Sequence, residues 1–189
     1  MKEFIVETSA RHVHVTREDL DILYGKDYKL TVKKNLSQPG EFVSEEKVTV
    51  KGPKGELKFS ILGPERKATQ VEVSFTDARN LGLTPPIRES GHLDGACPCT
   101  IVGPNGEVES KGSVIVAKRH LHATEADAKE LGVTNGEIVK VAVDSPDRKV
   151  IFDDVVVRVS DKYSLAMHLD TDEANAVAYG AQGKGHIFK

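Results

Sequence analysis

Apolar and polar positions alternate in short stretches along most of this 189-residue chain. The stretches are rich in β-branched residues and end at turn sequences such as KGPKG and GPNGE, a pattern typical of half-buried strands joined by tight turns. The predicted strands are FIVETSA, YKLTVK, EKVTVKG, ELKFSIL, TQVEVSF, CTIVG, GSVIVA, EIVKVAV, VIFDDVVVRV and YSLAMHL. Many short strands separated by turns predict a mainly β protein built as a barrel or a sandwich.

Helix signals are few and short. Thr16 followed by Asp19, and Thr124 followed by Asp127, have the form of a capping box in which an acid replaces the usual Glu or Gln. Thr171 is predicted to lead a further helix. The segment around 25–45, which contains NLSQPGEF, interrupts the strand rhythm and is interpreted as an inserted ribbon or loop.

One twelve-residue unit occurs twice, first as SARHVHVTREDL and later as AKRHLHATEADA. The shared residues are Arg11, His12, His14 and Thr16 in the first copy and Arg119, His120, His122 and Thr124 in the second. Each copy reads as the end of a strand, a His-x-His pair, a threonine helix cap and one short helix. The duplication favours a chain built from two related units.

The spacing of the repeated histidines is suited to metal binding. Histidines at positions i and i+2 of a strand point to the same face, about 6.6 Å apart along the strand, so two imidazoles can bind one ion. A single His-x-His pair is more typical of buried, hydrogen-bonded histidines. Repetition of the whole motif with a helix cap at the same place favours metal binding, and two pairs predict two sites.

Each histidine pair needs a third ligand, since catalytic zinc sites usually combine three protein ligands with one open position. His168, at the end of a predicted strand, is the candidate for the second pair. Glu72 is the candidate for the first, because an unpaired carboxylate among its apolar neighbours would be costly. An outward-facing strand glutamate explains Glu72 equally well. Cys97 and Cys99 are interpreted as ordinary thiols outside the site.

Charge and composition exclude several function classes. The chain has 26 basic and 29 acidic residues and a net charge of -3, so no global field attracts nucleic acid or an anionic membrane. No apolar run approaches the roughly 18 residues of a membrane span, and MKEFIVE lacks the pattern of a signal peptide. The small number of cysteines fits a reducing compartment. We therefore expect a cytoplasmic protein without nucleic-acid or membrane partners, and a homo-oligomer is left open.

Six blocks of the sequence together resemble the phosphate acyltransferases of the PduL type, which interchange acyl-CoA plus phosphate with acyl phosphate plus CoA. The blocks, spread from about Phe4 to about Ala178, are SARHVHVTREDL, LSQPGEF, ILGPERKATQVEVS, PPIRESG, RHLHATEADA and MHLDTDEANA. The resemblance implies two six-stranded β-barrels with short capping helices and two zinc ions between them. It implies approximate boundaries of 1–10 plus 118–189 for one barrel and 11–117 for the other.

The resemblance also implies roles for single residues. The residues that match the zinc ligands are His12, His14 and Glu72 for one ion and His120, His122 and His168 for the other. The residues that match the CoA contacts are Ser9, Lys34, Leu62, His168 and Asn175. Arg66 matches the arginine that holds phosphate. Two positions depart from the family pattern, because Ser60 stands near an expected basic contact and His92 stands where an aspartate is more usual.

Three protein ligands per ion would leave one open position on each, one for the CoA thiolate and one for phosphate. Arg66 would bind two phosphate oxygens through its planar guanidinium. The expected reaction is phosphate acyltransfer on acetyl-CoA or propanoyl-CoA. The alternative enzyme class is a dinuclear zinc hydrolase of phosphate esters or thioesters. The non-enzymatic alternative is a metal-binding or sensor protein with closed sites.

Family members that work inside bacterial microcompartments carry an additional N-terminal targeting segment. Only ten residues precede Arg11 in this chain. The resemblance therefore favours a cytoplasmic enzyme.

Overall fold

The computed structural model describes residues 2–177 and 182–188. Within these residues it contains fourteen strands and four short helices. The first seven strands are β1 (Phe4–Thr8), β2 (His12–His14), β3 (Val32–Asn35), β4 (Phe42–Lys51), β5 (Glu56–Gly63), β6 (Gln70–Glu72) and β7 (Ile87–Arg88). The other strands are β8 (Cys97–Val102), β9 (Glu107–Ala117), β10 (His120–Ala123), β11 (Ile138–Val143), β12 (Val150–Val159), β13 (Ala166–Leu169) and β14 (Gln182–Phe188). The helices are α1 (Arg17–Tyr24), α2 (Phe75–Leu81), α3 (Glu125–Leu131) and α4 (Thr171–Val177).

The chain divides into two compact units. The first unit comprises Met1–Ala10, Ser37–Pro39 and Lys118–Lys189, and the second comprises Arg11–Leu36 and Gly40–Ala117. The strands of the first unit close into a barrel in the order β1-β13-β10-β12-β11-β14. In the second unit β4, β5, β2, β6, β9 and β8 pair in a closed ring, with β3 added beside β4 and β7 beside β9. The predicted mainly β fold with two six-stranded barrels and short helices is confirmed.

Alternation along the strands fills each barrel with apolar side chains and places the repeated histidines outside it. Val13, between His12 and His14, belongs to the buried core of the second unit. Leu121, between the other two repeated histidines, belongs to the core of the first unit. Because successive strand residues point to opposite faces, the histidines of each pair share the outer face of their barrel.

The helix starts are set by short polar side chains. The Thr16 hydroxyl accepts a hydrogen bond from the Asp19 N–H, and Thr124 forms a capping box with Asp127. Both predicted threonine caps are therefore confirmed. The predicted helix led by Thr171 is also confirmed, since α4 begins at this residue. The helix cap is the preceding residue, Asp170, whose carboxylate accepts a hydrogen bond from the Glu173 N–H at 2.9 Å.

Two hairpin turns with the sequence Gly-Pro-x-Gly pack against helix ends. A Cβ atom on Gly52 would lie 2.3 Å from the Leu81 carbonyl oxygen, and one on Gly103 would lie 2.5 Å from that of Leu23. Only glycine permits backbone contact this close. The approach gives the unpaired carbonyl groups at the helix ends a partner, as in the 3.0 Å hydrogen bond from the Asn105 N–H to Leu23.

The hydrophobic pattern does not predict β14, because glycines weaken its alternation. Gly185 lies on this strand where a Cβ atom would be 2.9 Å from a Val6 methyl group. The glycine is therefore required by the tight packing of β14 against β1. These two strands are antiparallel, with Phe4 opposite Gly185.

Chain order and barrel membership do not coincide. β1 belongs to the first barrel and is followed by β2 of the second, whereas β9 of the second barrel is followed by β10 of the first. Each His-x-His strand thus comes directly after a strand of the other barrel. Among the described residues, no helix is long and apolar enough to cross a membrane.

Candidate active site

The first cluster consists of His12, His14 and Glu72, which lie in the second unit. His12 stands opposite Glu72 on the antiparallel neighbours β2 and β6. The two histidine Nε2 atoms are 3.2 Å apart. Glu72 places Oε2 3.5 Å from His12 Nε2 and Oε1 3.9 Å from His14 Nε2. Tetrahedral zinc separates ligand atoms by about 3.3 Å, so these three donors fit one such ion.

The first cluster is buried, and burial fixes the protonation of one of its histidines. Burial lowers the pKa of His14 well below 6.5, and the positive charges of His12 and Arg66 lower it further, against a smaller opposing effect of Glu72. His14 is therefore neutral near pH 7 and has a lone pair available for a metal ion.

The side-chain amide of Gln70 forms a hydrogen bond with the Glu72 carboxylate. The Gln70 Nε2 atom donates to Glu72 Oε1 at 2.6 Å and to the Ser90 hydroxyl oxygen at 2.8 Å. The Gly91 N–H donates to Gln70 Oε1 at 2.8 Å. Sequence reasoning missed Gln70 and Ser90, although Gln70 alternates with Glu72 on one face of a strand, which was the available signal.

Arg66 lies at the edge of the first cluster, in the loop between β5 and β6. Its backbone N–H donates to the Val15 carbonyl at 2.8 Å. One terminal guanidinium nitrogen donates to the Ser90 hydroxyl at 3.2 Å and the other to Glu41 at 2.7 Å. About a third of its side chain is exposed, so an anion from solution can reach it.

The second cluster consists of His120, His122 and His168, which lie in the first unit. His120 stands opposite His168 on the antiparallel neighbours β10 and β13, so its backbone frame matches that of the first cluster. The three ring centroids are 4.6, 5.1 and 5.1 Å apart. The donor atoms, one from each residue, lie within 4.8 Å of one another.

Neighbouring groups orient the rings of the second cluster. His120 Nδ1 is 2.9 Å from the Lys118 carbonyl oxygen. A carbonyl oxygen can only accept, so Nδ1 carries the proton and Nε2 keeps its lone pair for a metal ion. The Tyr163 ring stacks on His122 with 4.1 Å between centroids. These contacts favour one ring orientation for His120 and one for His122.

The repeated arginines bind the helix that follows the third residue of each cluster. Arg11 forms an ion pair with Asp77 at the start of α2, and Arg119 is 2.8 Å from Glu173 at the start of α4. Each acid is the third residue of its helix and takes part in a capping box. The repeat singled out both arginines, but their partners could not be predicted from it.

The predicted CoA contacts fall into two groups. In the first unit, the Ser9 N–H donates to Leu169 at 2.7 Å, next to His168, and Asn175 is exposed on α4. In the second unit, Lys34 and Leu62 stand on either side of the same β4 residue, Val43. Lys34 is exposed and Leu62 half-buried.

Two positions depart from the family pattern. One is a strand neighbour of the first cluster, and the other is close in sequence to residues that contact Gln70, the hydrogen-bond partner of Glu72. Ser60 stands beside His12 on the parallel neighbour β5. His92 is exposed and follows the Ser90–Gly91 segment that contacts Gln70.

Both clusters fit zinc by their donor sets. Two imidazoles with a carboxylate, and three imidazoles, are ligand sets of catalytic zinc sites with one open position. In the described part of the chain these are the two groups of His, Cys, Asp or Glu side chains with suitable geometry. Cys97 and Cys99 lie on β8 and belong to neither group.

Comparison with known proteins identifies the family. A family model described as phosphate propanoyltransferase matches residues 5–180. A phosphate propanoyltransferase of Thermotoga maritima is 52% identical over 173 residues, covering 91% of this chain and 82% of the relative. One of Enterococcus faecalis is 49% identical, covering 98% of this chain and 88% of the relative. One of Clostridioides difficile is 49% identical, covering 97% of this chain and 87% of the relative. The predicted resemblance is confirmed, and the chain belongs to the phosphate propanoyltransferase family of acyltransferases.

Proposed function

We propose that this acyltransferase uses two zinc ions, held by the first and second clusters, to interconvert propanoyl-CoA or acetyl-CoA plus phosphate with acyl phosphate plus CoA. The observation that carries the proposal is the contact chain from Arg66 through Ser90 and Gln70 to Glu72. It joins an accessible cation to a three-donor cluster, an arrangement suited to an oxyanion substrate.

In this proposal the chain binds phosphate through Arg66. The guanidinium presents parallel N–H groups that match two phosphate oxygens. Glu41 accepts from one terminal nitrogen at 2.7 Å and keeps the side chain extended toward Ser90 until the anion arrives. Bound zinc would supply positive charge to the phosphate oxygen and to the sulfur of CoA.

The reaction needs no protein nucleophile. A phosphate oxygen attacks the thioester carbonyl carbon, a C–O bond forms, the C–S bond breaks, and the electron pair leaves with sulfur as the CoA thiolate. The chain's part is to hold the phosphate oxygen close to the thioester carbonyl carbon in a reactive orientation. Such positioning can lower the barrier by about 7–11 kcal/mol.

We propose that CoA contacts Ser9, His168 and Asn175 in the first unit and Lys34 and Leu62 in the second. Exposed Lys34 is suited to the phosphate groups of CoA, and half-buried Leu62 is suited to its apolar parts. Ser60 has no charge, so in this chain Lys34 carries more of the attraction for those phosphates.

The test is the Arg66→Ala variant, assayed for CoA release from acetyl-CoA, propanoyl-CoA and butanoyl-CoA with and without phosphate. We expect bound zinc to stay at the wild-type level and phosphate-dependent CoA release to fall by about 10²-fold or more. Arg79→Ala is the matched control, because Arg79 is an exposed arginine on α2 of the same unit. It should retain activity.

Full activity of Arg66→Ala would remove Arg66 from the phosphate site. Release of CoA by the wild type without added phosphate, and without acyl phosphate as product, would favour the zinc hydrolase. Wild-type protein that binds zinc but ignores CoA and phosphate would favour a metal-binding protein.

A further inference from the structure

We propose that Gln70 is a positioning residue that fixes Glu72 as a metal ligand, and that Ser90 ties this ligand to Arg66. The inference deepens the proposed function and rests on it in one respect, that the first cluster binds a metal ion.

The hydrogen bonds of Gln70 leave its amide one orientation. Its Oε1 accepts from the Gly91 N–H at 2.8 Å, and a backbone N–H can only donate. The NH₂ group must therefore face the other way, where it meets Glu72 Oε1 at 2.6 Å and the Ser90 hydroxyl at 2.8 Å. Both amide hydrogens are used, and the residue is 3% exposed. Gln70 is thus placed to hold its neighbours rather than to bind substrate.

The effect of Gln70 falls on one oxygen of Glu72. Oε1 accepts the amide hydrogen bond and lies 3.9 Å from His14 Nε2, while Oε2 lies 3.5 Å from His12 Nε2. A carboxylate held in this way offers one oxygen to an ion at a fixed position. Residues that form hydrogen bonds to a metal ligand typically contribute to metal affinity, which falls by about 10–100-fold when they are removed.

The first unit shows that the fold alone does not require a glutamine at this position. Gln70 stands opposite His14, and the matching partner of His122 is Ala166. In that cluster the third ligand is an imidazole, which needs no amide donor to hold an oxygen. A glutamine at this position is therefore associated with the carboxylate in the cluster and is not required by the barrel fold.

Ser90 extends the contact to Arg66. Its hydroxyl oxygen is approached by two donors, the Gln70 amide at 2.8 Å and the Arg66 guanidinium at 3.2 Å. Both are N–H groups, so the hydroxyl oxygen accepts from both. The guanidinium and the Glu72 carboxylate are consequently positioned by one continuous set of bonds.

The test uses Gln70→Leu, with Gln70→Met as a second variant of similar volume in case the first does not fold. Metal-stripped protein is titrated with Zn²⁺ against a chromophoric chelator, without substrate, and His12→Ala identifies which of two binding events belongs to the first cluster. We expect that event alone to weaken by about 10–100-fold in both Gln70 variants. Gln38→Leu is the matched control, since Gln38 is also a buried glutamine and bonds to Ser164.

Ser90→Ala tests the link to Arg66 at saturating zinc. We expect the KM for phosphate to rise by about 10-fold with kcat changed less, because one hydrogen bond to a charged group is lost. Ser90→Thr keeps the hydroxyl and should restore the wild-type KM.

Unchanged zinc affinity in both Gln70 variants would overturn the proposal, as would an equal loss at both sites. The zinc titration involves no acyl transfer. If the first site weakens as expected while the wild type forms no acyl phosphate, Gln70 keeps its positioning role and the proposed function fails.

Discussion

The two clusters occupy equivalent backbone positions in two barrels, yet their chemistry differs at one residue. In each, the first histidine of a His-x-His strand stands opposite the third donor on an antiparallel neighbour. That donor is Glu72 in one case and His168 in the other. Gln70, Ser90 and Arg66 accompany the carboxylate, whereas Ala166 occupies the position that matches Gln70 in the other cluster.

If both clusters bind zinc as proposed, this difference gives the two ions different net charges. Two neutral imidazoles and a carboxylate would leave a bound Zn²⁺ ion with a net charge of about +1, whereas three imidazoles would leave about +2. In the proposed reaction, the more positive site would suit the CoA thiolate. Arg66 would add the positive charge that phosphate needs beside the less positive site.

The largest effect is expected when one histidine is removed from either cluster. His12→Ala and His120→Ala should each lose one zinc ion and reduce acyl transfer by about 10³-fold, since a bound ion contributes several kcal/mol to such a reaction. Zinc content and initial rates measure both. His92→Ala, at an exposed histidine outside the clusters, should retain both ions. The comparison would fail if one of the two histidines proved dispensable for activity.

A smaller effect should follow from making the clusters alike. Glu72→His converts the first cluster to three imidazoles and leaves the Gln70 amide without its carboxylate. We expect zinc affinity at that site to fall by about 10–100-fold, with a raised KM for phosphate. Glu65→His, at an exposed position of the same unit, is the control. Wild-type kinetics in Glu72→His would show that the difference in charge has no role.

Removing the repeated arginines should cost stability in both units. Arg11→Ala and Arg119→Ala should each lower the free energy of unfolding by about 1 kcal/mol, a value reduced by the partial exposure of both arginines. Arg11→Ala should have the larger effect, because Asp77 is the more buried acid. Urea unfolding measures the two values against Arg79→Ala. A larger loss in Arg119→Ala would contradict this order.

The smallest effect concerns pH. Burial raises the pKa of Glu173 above 4.5, although hydrogen bonds, including one from Arg119, oppose the shift. Because the folded state binds this proton more tightly than the unfolded state, stability falls as pH rises from about 4.5 through the folded pKa. Glu173→Gln lacks this titration. Its free energy of unfolding should therefore rise relative to that of the wild type as pH increases across that window. Urea unfolding at several pH values would refute the assignment if the difference stayed constant or changed sign.

The sequence predicts the frame of the clusters well because repetition and alternation are local signals. The Arg-His-x-His-x-Thr unit reveals two equivalent places, and the alternation around Val13 and Leu121 orients the histidines outward. The caps at Thr16 and Thr124 are readable for the same reason.

What the sequence does not reveal depends on contacts between distant residues. Arg11 and Asp77 meet because β6 leads into α2, and no spacing rule predicts that meeting. Gln70 has no counterpart in the repeat, since Ala166 occupies the matching place. β14 is hidden because Gly185 is selected by packing rather than by strand propensity.

The antiparallel pairing of β14 with β1 corresponds to the β8–β9 hairpin of the second barrel. A short designed turn from Phe188 to Phe4, combined with new ends opened between Ala117 and Lys118, would make a circular permutant. Its chain would run through all six strands of one barrel before entering the other, as a simple tandem array. We expect this permutant to keep both barrels, because β9 and β10, which the cut separates, belong to different sheets.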